Sequence, residues 1–418
     1  MPSRQSLAGY LAFGCFAVPQ GAVPQRLHTA MVACVPISAK GNSMHSPITN
    51  VYRPNQARLR PPVERVLPYC PKSEWTYSHH ASIVSFDGRL YAIWSNGREH
   101  EDYPGQRVLV ASATDFYTWS EPTPLVYALP GEHSELVLTA AGFYQHGATL
   151  VAYYGQYEYT QESLREGVRL GRNHQGTSLW ALISKDGHTW SESLPLGVPI
   201  VPNHGPQRTS SGRLIISGNI SFPYTDDPAG LSGWTMTGIY PSDMAPEVYD
   251  DSEGFWTVQS RRGWPAGLCE GSFYQTDDGV LHMLLRATGP GHAGKLWLTE
   301  SHDDGTTWTD PGEVEFTDNN TKFHFGRLPD GRFYYVGSPD PEPRGARCPL
   351  VLSLSEDGVR FDRHYVLADE DYEHQRPGHA KGGLYGYPHT LVHEGYLYVI
   401  VSLRKEAVAV FRVPLSEL

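Results

Sequence analysis

Short apolar runs separated by turn residues recur along this chain, and the clearest example lies between Ser78 and Val110. Two apolar segments, 81–86 and 90–94, flank the dipeptide Asp87-Gly88. An Asp-Gly pair supplies the positive φ that a tight hairpin turn needs, so the pattern predicts two paired β-strands. A further apolar segment begins at Arg107 and predicts a third strand.

The same pattern of strand, glycine-containing turn and strand returns five more times. The copies cover residues 139–155, 204–219, 269–286, 324–338 and 389–402. Counted from their first strands, the six copies start at 80, 139, 204, 269, 324 and 389, so the steps are 59, 65, 65, 55 and 65. A period of this size is typical of β-propeller blades. The sequence therefore predicts an all-β fold, a β-propeller of four-stranded blades with six countable repeats.

A second marker falls between these starts, at the predicted turn from the third to the fourth strand. It reads Ser-Lys-Asp-Gly-His-Thr-Trp at 184–190 and Ser-His-Asp-Asp-Gly-Thr-Thr-Trp at 301–308, with weaker copies at 355–361 and 115–119. The Asp caps the turn through the backbone, Gly takes the left-handed position, and the aromatic residue packs between blades. We interpret these segments as Asp-box turns, which lie away from the active face and serve folding.

The last repeat ends at Leu418 after only three strands. We expect its fourth strand to come from the segment near 51–67, which closes the ring and removes the sheet edges. A seventh blade would have to lie in the irregular N-terminal segment or in a long loop between repeats.

Composition and charge restrict the partners of this 418-residue chain. The net charge of −12 argues against a nucleic-acid partner, and no apolar run approaches the roughly 20 residues of a membrane span. We expect a monomer with residues 46–418 as one catalytic propeller domain. Residues 1–45 are either a weak secretory signal or a disordered leader, so a secreted or extracytoplasmic location is slightly favoured. The five cysteines are widely spaced and show no disulfide framework.

Aligning the repeats places four potential metal ligands at nearly equivalent inner-strand starts, namely His204, Cys269, His324 and His389. The first strands of a propeller line its central channel. Three imidazoles and a thiolate that converge there predict a closed, structural zinc site. The alternative is four unrelated polar residues that are hydrogen-bonded to the backbone or to channel water.

A second constellation is predicted on one rim of the propeller. The hairpin brings His80 and His100 to the same edge of their sheet. Tyrosines and arginines follow in the second repeat and an asparagine in the third, with Tyr153, Tyr157, Arg169, Arg172 and Asn219 as the candidates. Arg and Asn neutralise a carboxylate, while His and Tyr transfer protons, so the set suits an anionic sugar. Alternatively, the tyrosines pack the blades and the arginines belong to a solvated loop.

The segments 78–83 (Ser-His-His-Ala-Ser-Ile), 94–97 (Trp-Ser-Asn-Gly) and 101–107 (Glu-Asp-Tyr-Pro-Gly-Gln-Arg) resemble the propeller polysaccharide lyases. These families include ulvan lyases and the lyases that release L-rhamnose from α-1,4-linked D-glucuronate. The resemblance covers most of residues 70–418, is absent in the first 45, and implies seven blades rather than the six counted. It also implies a zinc ion held by three His and one Cys.

The resemblance implies β-elimination, with His80 and His100 as general base and acid. It implies Tyr157 and Arg172 as further catalytic residues, while Arg169 and Tyr153 fit nearly as well by spacing and are kept as substrate-binding candidates with Asn219. Asn219 stands where ulvan lyases carry a Tyr, which favours the rhamnose–glucuronate group. Arg172 and Asn219 would neutralise the C5 carboxylate. The expected products are L-rhamnose and a 4,5-unsaturated glucuronate.

Four other functions compete with this interpretation. An ulvan lyase or a hydrolytic α-L-rhamnosidase would use the same rim. An exo-sialidase would need an Arg triad and a Tyr–Glu nucleophile pair, and no Phe-Arg-Ile-Pro-like start precedes the first repeat. A non-catalytic glycan-binding propeller would not depend on the two histidines.

Overall fold

The computed structural model describes residues 48–54, 56, 58–166, 174–240, 264, 267–288 and 294–418. All of them belong to one compact unit, Ser43–Leu418. The predicted leader at 1–45, together with Arg169 and Arg172, lies outside the described residues. No helix among the described residues is both long enough and apolar enough to cross a membrane.

The described part of the chain forms six sheets, each built mainly from antiparallel neighbours. The first sheet contains β3 (Tyr77–Phe86), β4 (Arg89–Gly97), β5 (Arg107–Ala113) and β6 (Thr123–Val126), and the second β7 (Val137–His146), β8 (Thr149–Tyr159), β9 (His174–Ser184) and β10 (Leu194–Pro195). The third has three short strands, β11 (Gln207–Arg208), β12 (Leu214–Ile215) and β13 (Tyr224–Thr225).

The other three sheets come from the C-terminal half together with two N-terminal strands. The fourth contains β14 (Leu268–Gln275), β15 (Leu281–Ala287), β16 (Lys295–Ser301) and β17 (Gly312–Thr317), with the short strand β1 (Thr49–Asn50) parallel to its edge. The fifth contains β18 (His324–Arg327), β19 (Phe333–Gly337), β20 (Leu350–Ser355) and β21 (Arg363–Ala368). The sixth contains β22 (Tyr385–His393), β23 (Tyr396–Leu403), β24 (Ala407–Pro414) and β2 (Glu64–Tyr69). A helix, α1 (Gln161–Glu166), follows β8, and a 3-10 helix (Leu415–Glu417) ends the chain.

The N-terminal strand β2 closes the sixth sheet, as the sequence predicted. It pairs antiparallel with β24, from Glu64 opposite Arg412 to Tyr69 opposite Val408. The arrangement gives a nearly all-β fold of the propeller type, in which the N-terminal strand β2 and the C-terminal strand β24 are paired in one sheet.

The core lies between the sheets, and strand β4 shows why. Its residues alternate between two faces, as expected for a strand with period two. Ala92 and Trp94 pack with residues of the sixth sheet, while Tyr91 and Ile93 pack with residues of the second. Because both faces are covered, an apolar run with little polar alternation forms the strand.

The turns interpreted as Asp-boxes share a hydrogen-bonding pattern. In one of them, Asp186 accepts the backbone N–H groups of His188 and Thr189 at 2.8 and 2.7 Å, and Gly187 has a φ of +72°. Asp303 and Asp357 accept backbone N–H groups in the corresponding turns. These hydrogen bonds explain how the Asp of each turn ends the preceding strand at a fixed residue.

Candidate functional site

Three polar side chains from three innermost strands meet at the site, and each belongs to a distorted stretch of backbone. His80 of β3, Glu270 of β14 and Tyr387 of β22 have φ angles of +54°, +53° and +55°. The strand register shifts at each of them, between His79 and Ser82, Cys269 and Ser272, and Gly386 and His389. Bulges re-aim side chains and are frequent next to active sites, where left-handed non-glycine residues mark stored strain.

A Tyr–Glu–Arg cluster occupies the centre of this site. The hydroxyl of Tyr387 donates a short hydrogen bond to Glu270 Oε1, and Arg286 forms a short ion pair with Glu270 Oε2. Arg286 Nη1 also lies 3.0 Å from the Tyr387 hydroxyl, and its Nε donates to Asn320 Oδ1 at 2.8 Å. The side chains of Arg286 and Glu270 keep 11% and 14% of their surface exposed, so a ligand can reach them.

Electrostatics hold the cluster in defined protonation states. Burial alone would raise the pKa of Glu270, but the Arg286 charge and the Tyr387 hydrogen bond outweigh it, and the pKa lies below its usual value. Burial, and then the Glu270 charge, hold the pKa of Tyr387 well above its usual range. Glu270 is therefore a carboxylate that accepts a hydrogen bond from a neutral phenol.

Arg347 brings a second guanidinium to the same tyrosine. Its Cζ lies 5.3 Å from the centre of the Tyr387 ring, and its φ is +53°. Within the part of the chain that the structure describes, its Nε and Nη1 are buried and make no hydrogen bond. Buried donors are nearly always paired, and two guanidinium nitrogens without a partner in the described residues have the chemistry to bind an anionic group.

His80 and Lys322 also lie close to the Tyr387 ring. The His80 ring is 5.4 Å from that ring in an edge-on arrangement, and its Nδ1 is 3.1 Å from Ser95 Oγ. Burial, reinforced by the Lys322 charge, lowers the pKa of His80 to about 3, so its imidazole is neutral. Burial also lowers the pKa of Lys322 to about 8, and its Nζ lies 5.0 Å from the Tyr387 ring centre.

An acidic pair from the loop after β4 borders the site. Glu101 forms a short ion pair with Lys405, whose pKa burial lowers to about 8. Asp102 Oδ1 accepts a hydrogen bond from Gln106 at 3.2 Å. Tyr157 lies near both acids. Burial is the main cause that holds the pKa of Tyr157 well above the usual range, and the Asp102 charge raises it further.

Three histidines form a separate group that could hold a metal ion. The ligand atoms of His204, His324 and His389 lie within 4.8 Å of one another, and Cys269 is not a member of this group. Nδ1 of His324 is 2.6 Å from Thr390 Oγ1, and Nδ1 of His389 accepts the Ile83 N–H at 3.4 Å.

An unpartnered nitrogen of His204 and the protonation states of the three histidines suit a metal ion. His204 Nδ1 is buried without a hydrogen-bond partner in the described residues. Burial lowers the pKa of all three histidines, which leaves neutral imidazoles, the form that ligates metals. The residues present therefore fit a metal with three nitrogen ligands. The four-ligand set that includes Cys269 stays a prediction, and burial raises the pKa of that thiol.

The structure gives the surroundings of three other residues that the sequence grouped on one rim. Tyr153 is fully buried between the second and third sheets, where its hydroxyl donates to the Gly230 carbonyl at 3.1 Å, so it packs the core rather than facing substrate. Asn219 is half-buried in a bend of the third sheet. His100 Nδ1 accepts the backbone N–H of His379 at 3.0 Å, and its ring contacts that of Tyr103.

Sequence reasoning missed Glu270, Arg286, Arg347 and Tyr387. A usable signal exists for two of them, because Glu270 and Arg286 are charged residues that interrupt apolar strands, and Arg286 faces Cys269, the neighbour of Glu270, across β14 and β15. Tyr387 resembles the many packing tyrosines of the chain. Arg347 comes from a loop between two strands, where arginine is common.

Comparison with known proteins identifies the family. Residues 88–399 match the model of the BNR repeat-like domain, which is most of the chain, so the protein belongs to the BNR repeat-like domain family. No curated protein matches it in sequence. A Dyadobacter fermentans protein of unknown function is similar in structure, with 14% identity and a TM-score of 0.57 over 84% of this chain and 99% of that one.

Sialidase structures are similar as well. Trypanosoma rangeli sialidase in complex with sialic acid has 15% identity and a TM-score of 0.58 over 87% of this chain, and the match spans 60% of that longer protein. The Hadza microbial sialidase Hz136 has 12% identity and a TM-score of 0.56 over 81% of this chain and 66% of its own. At these identities the likeness establishes the fold, a sialidase-like β-propeller.

Proposed function

We propose that this protein is a glycan-processing enzyme, a glycoside hydrolase that acts on a carboxylated sugar with Tyr387 as its nucleophile. The observation that carries the proposal is the hydrogen bond from the Tyr387 hydroxyl to Glu270, with Arg286 beside both atoms. A buried phenol is a weak nucleophile unless an adjacent base takes its proton, and Glu270 is positioned to do so. Tyrosine is the nucleophile known from sialidases among glycoside hydrolases.

In the first step, Tyr387 Oη forms a bond to the anomeric carbon while its proton passes to Glu270. The glycosidic C–O bond breaks, and the departing oxygen takes a proton from an acid or from water. In the second step, water attacks the anomeric carbon and gives a proton to the group that served as the acid in the first step, while the phenol leaves and recovers its proton from Glu270. The net reaction is hydrolysis with retention of configuration.

The cations around Tyr387 account for the carboxylated substrate. Arg286 is partly exposed, and Arg347 has two buried N–H groups without partners in the described residues. A guanidinium binds a carboxylate through two parallel hydrogen bonds. A neutral phenol paired with a base also suits such a substrate better than a lone carboxylate nucleophile would, because like charges repel. The sialic acid named in the structure of the Trypanosoma rangeli sialidase is one sugar of this kind.

A second candidate is the lyase that the sequence resemblance implies, cleaving a rhamnose–glucuronate linkage by β-elimination. The observation that favours it is His80, a neutral imidazole against the Tyr387 ring. A neutral imidazole is able to remove the C5 proton of a uronate whose carboxylate is held by arginine. On this route the products are L-rhamnose and a 4,5-unsaturated glucuronate, and no water is consumed.

We further propose that His204, His324 and His389 hold a zinc ion. Their ligand atoms are close together, and the unpartnered His204 Nδ1 supports the assignment. Zinc would tie the third, fifth and sixth sheets together, since these three residues come from, or just precede, their first strands. Its contribution would be to stability rather than to the reaction.

Product analysis tests the proposal. The purified protein is incubated with α-sialosides and with a rhamnose-capped glucuronate glycan, and free sugars and ultraviolet absorbance are followed together. Sugar release without an unsaturated product supports hydrolysis, and Tyr387→Phe should abolish it. Tyr396→Phe is the matched control, because Tyr396 lies at the far end of the same hairpin. Sugar release with an unsaturated uronate would instead establish the lyase.

A further inference from the structure

The segment 375–381, here called the strap, lies between β21 and β22 and connects the sixth sheet to the first through hydrogen bonds. Both oxygens of Glu406 accept backbone N–H groups at its start, from Gln375 and Arg376 at 2.8 Å each. At its end, Lys381 Nζ lies 3.0 Å from Glu406 Oε1, and both side chains are fully buried. Lys381 Nζ also donates to the Thr76 carbonyl at 2.9 Å, just before β3.

The middle of the strap lies on the loop 98–106 that follows β4. The His379 N–H donates to His100 Nδ1 at 3.0 Å, and the Glu101 N–H donates to the His379 carbonyl at 3.3 Å. The two imidazole rings are 4.6 Å apart. A Cβ added to Gly378 would overlap the carbonyl oxygen of Glu99, so strap and loop are in close contact.

This contact fixes the residue next to His100, and that residue acts on the site. Glu101 pairs with Lys405, with 15% and 5% of their side chains exposed. The Glu101 charge raises the pKa of His80 against the effect of burial. A displacement of Glu101 would therefore change the charge balance around this candidate catalytic group.

We propose that His100 is a positioning residue, which holds the strap through Nδ1 and thereby keeps Glu101 in place beside the site. Nδ1 is used as an acceptor for a backbone N–H, and Nε2 lies 3.9 Å from Glu99 Oε2. The inference rests on the proposed function for its catalytic consequence, and it departs from the role of proton donor that the sequence resemblance implies for His100.

Three variants of His100 separate the two roles. Asn places its Oδ1 close to the position of the imidazole Nδ1, Gln places its oxygen near that of Nε2, and Ala removes both atoms. The inference predicts that His100→Asn keeps kcat/KM within about threefold of the wild type, while His100→Gln and His100→Ala lose about tenfold, the usual effect of one hydrogen bond. Thermal unfolding of each variant controls for global folding.

Hydrogen–deuterium exchange of the strap gives a readout that does not depend on activity. Exchange at 375–381 should be faster in His100→Ala and close to wild type in His100→Asn. If His100→Asn is as inactive as His100→Ala while its strap stays protected, His100 transfers a proton and the inference is overturned. If the wild type turns over no carboxylated glycoside, the proposed function fails, and exchange alone decides: unchanged strap protection in His100→Ala would overturn the inference.

Discussion

The Tyr387 hydroxyl donates a hydrogen bond to Glu270, although the two residues are 117 positions apart and belong to the sixth and fourth sheets. Both have left-handed backbone conformations at a bulge in the first strand of their sheet. Strained backbone at both positions and a largely buried ion pair at Glu270 lower the stability of the fold. Such destabilising features are typical of functional sites.

Glu270→Gln removes the base that the nucleophile needs. We expect kcat to fall by about 10²–10⁴-fold, the range for loss of general base catalysis, with a smaller effect on KM. Glu315→Gln is the control, since Glu315 forms an exposed ion pair with Lys295 in the same sheet. Steady-state kinetics with full activity in Glu270→Gln would contradict the assignment.

Arg286 sets the pH range in which Glu270 can act. Burial raises the pKa of Glu270, and Arg286 is the largest of the effects that lower it below the usual value. Arg286→Gln should therefore move the acid limb of kcat to higher pH. Arg327→Gln, which breaks an exposed pair with Asp277, should leave the limb in place. A pH–rate profile measures both.

His80 makes folding stability depend on pH. Its pKa of about 3 is depressed from the ordinary value of about 6.5, so the unfolded chain binds the proton more readily between these values. The stability contribution is present above about pH 6.5 and is lost as the pH falls toward 3. Thermal unfolding across this window should show a smaller acid destabilisation in His80→Gln than in the wild type. An unchanged slope would contradict the assignment of His80 as a neutral imidazole.

Arg347 is predicted to serve binding at the expense of stability. Its buried Nε and Nη1 make no hydrogen bond in the described residues, so removing the guanidinium should not lower Tm and should raise KM by at least about tenfold. Arg347→Lys should not restore KM, because an ammonium lacks the planar fork. Arg344→Ala, an exposed neighbour, is the control. A large loss of Tm with unchanged KM would make Arg347 structural.

Metal analysis of the purified protein tests the histidine group. We expect about one zinc per chain, lost together with a fall in Tm in His324→Ala. Cys269→Ser should retain the metal if the three histidines suffice and lose it if the four-ligand set is correct. A wild-type protein that contains no zinc after expression with zinc supplied would remove the proposal.

The sequence predicted the fold well and the site only in part. Strand, turn and repeat spacing are local properties, so the hairpin at 78–97 and the closing strand near 51–67 were readable. The site depends on bulges, which re-aim one side chain without a mark in the apolar pattern. His80 was found because a His pair at a strand entrance is unusual. Tyr387 and Glu270 were missed because their partnership spans two sheets.

The most direct test of the central claim is to trap the intermediate on Tyr387. A fluorinated glycosyl fluoride of a carboxylated sugar is incubated with the wild type, Tyr387→Phe and Tyr396→Phe, and intact mass and peptide mapping follow the label. We expect one sugar adduct on the peptide that contains Tyr387, absent from Tyr387→Phe and present in Tyr396→Phe. Turnover of a uronate glycan to an unsaturated product, with no adduct on Tyr387 in any variant, would contradict the central claim.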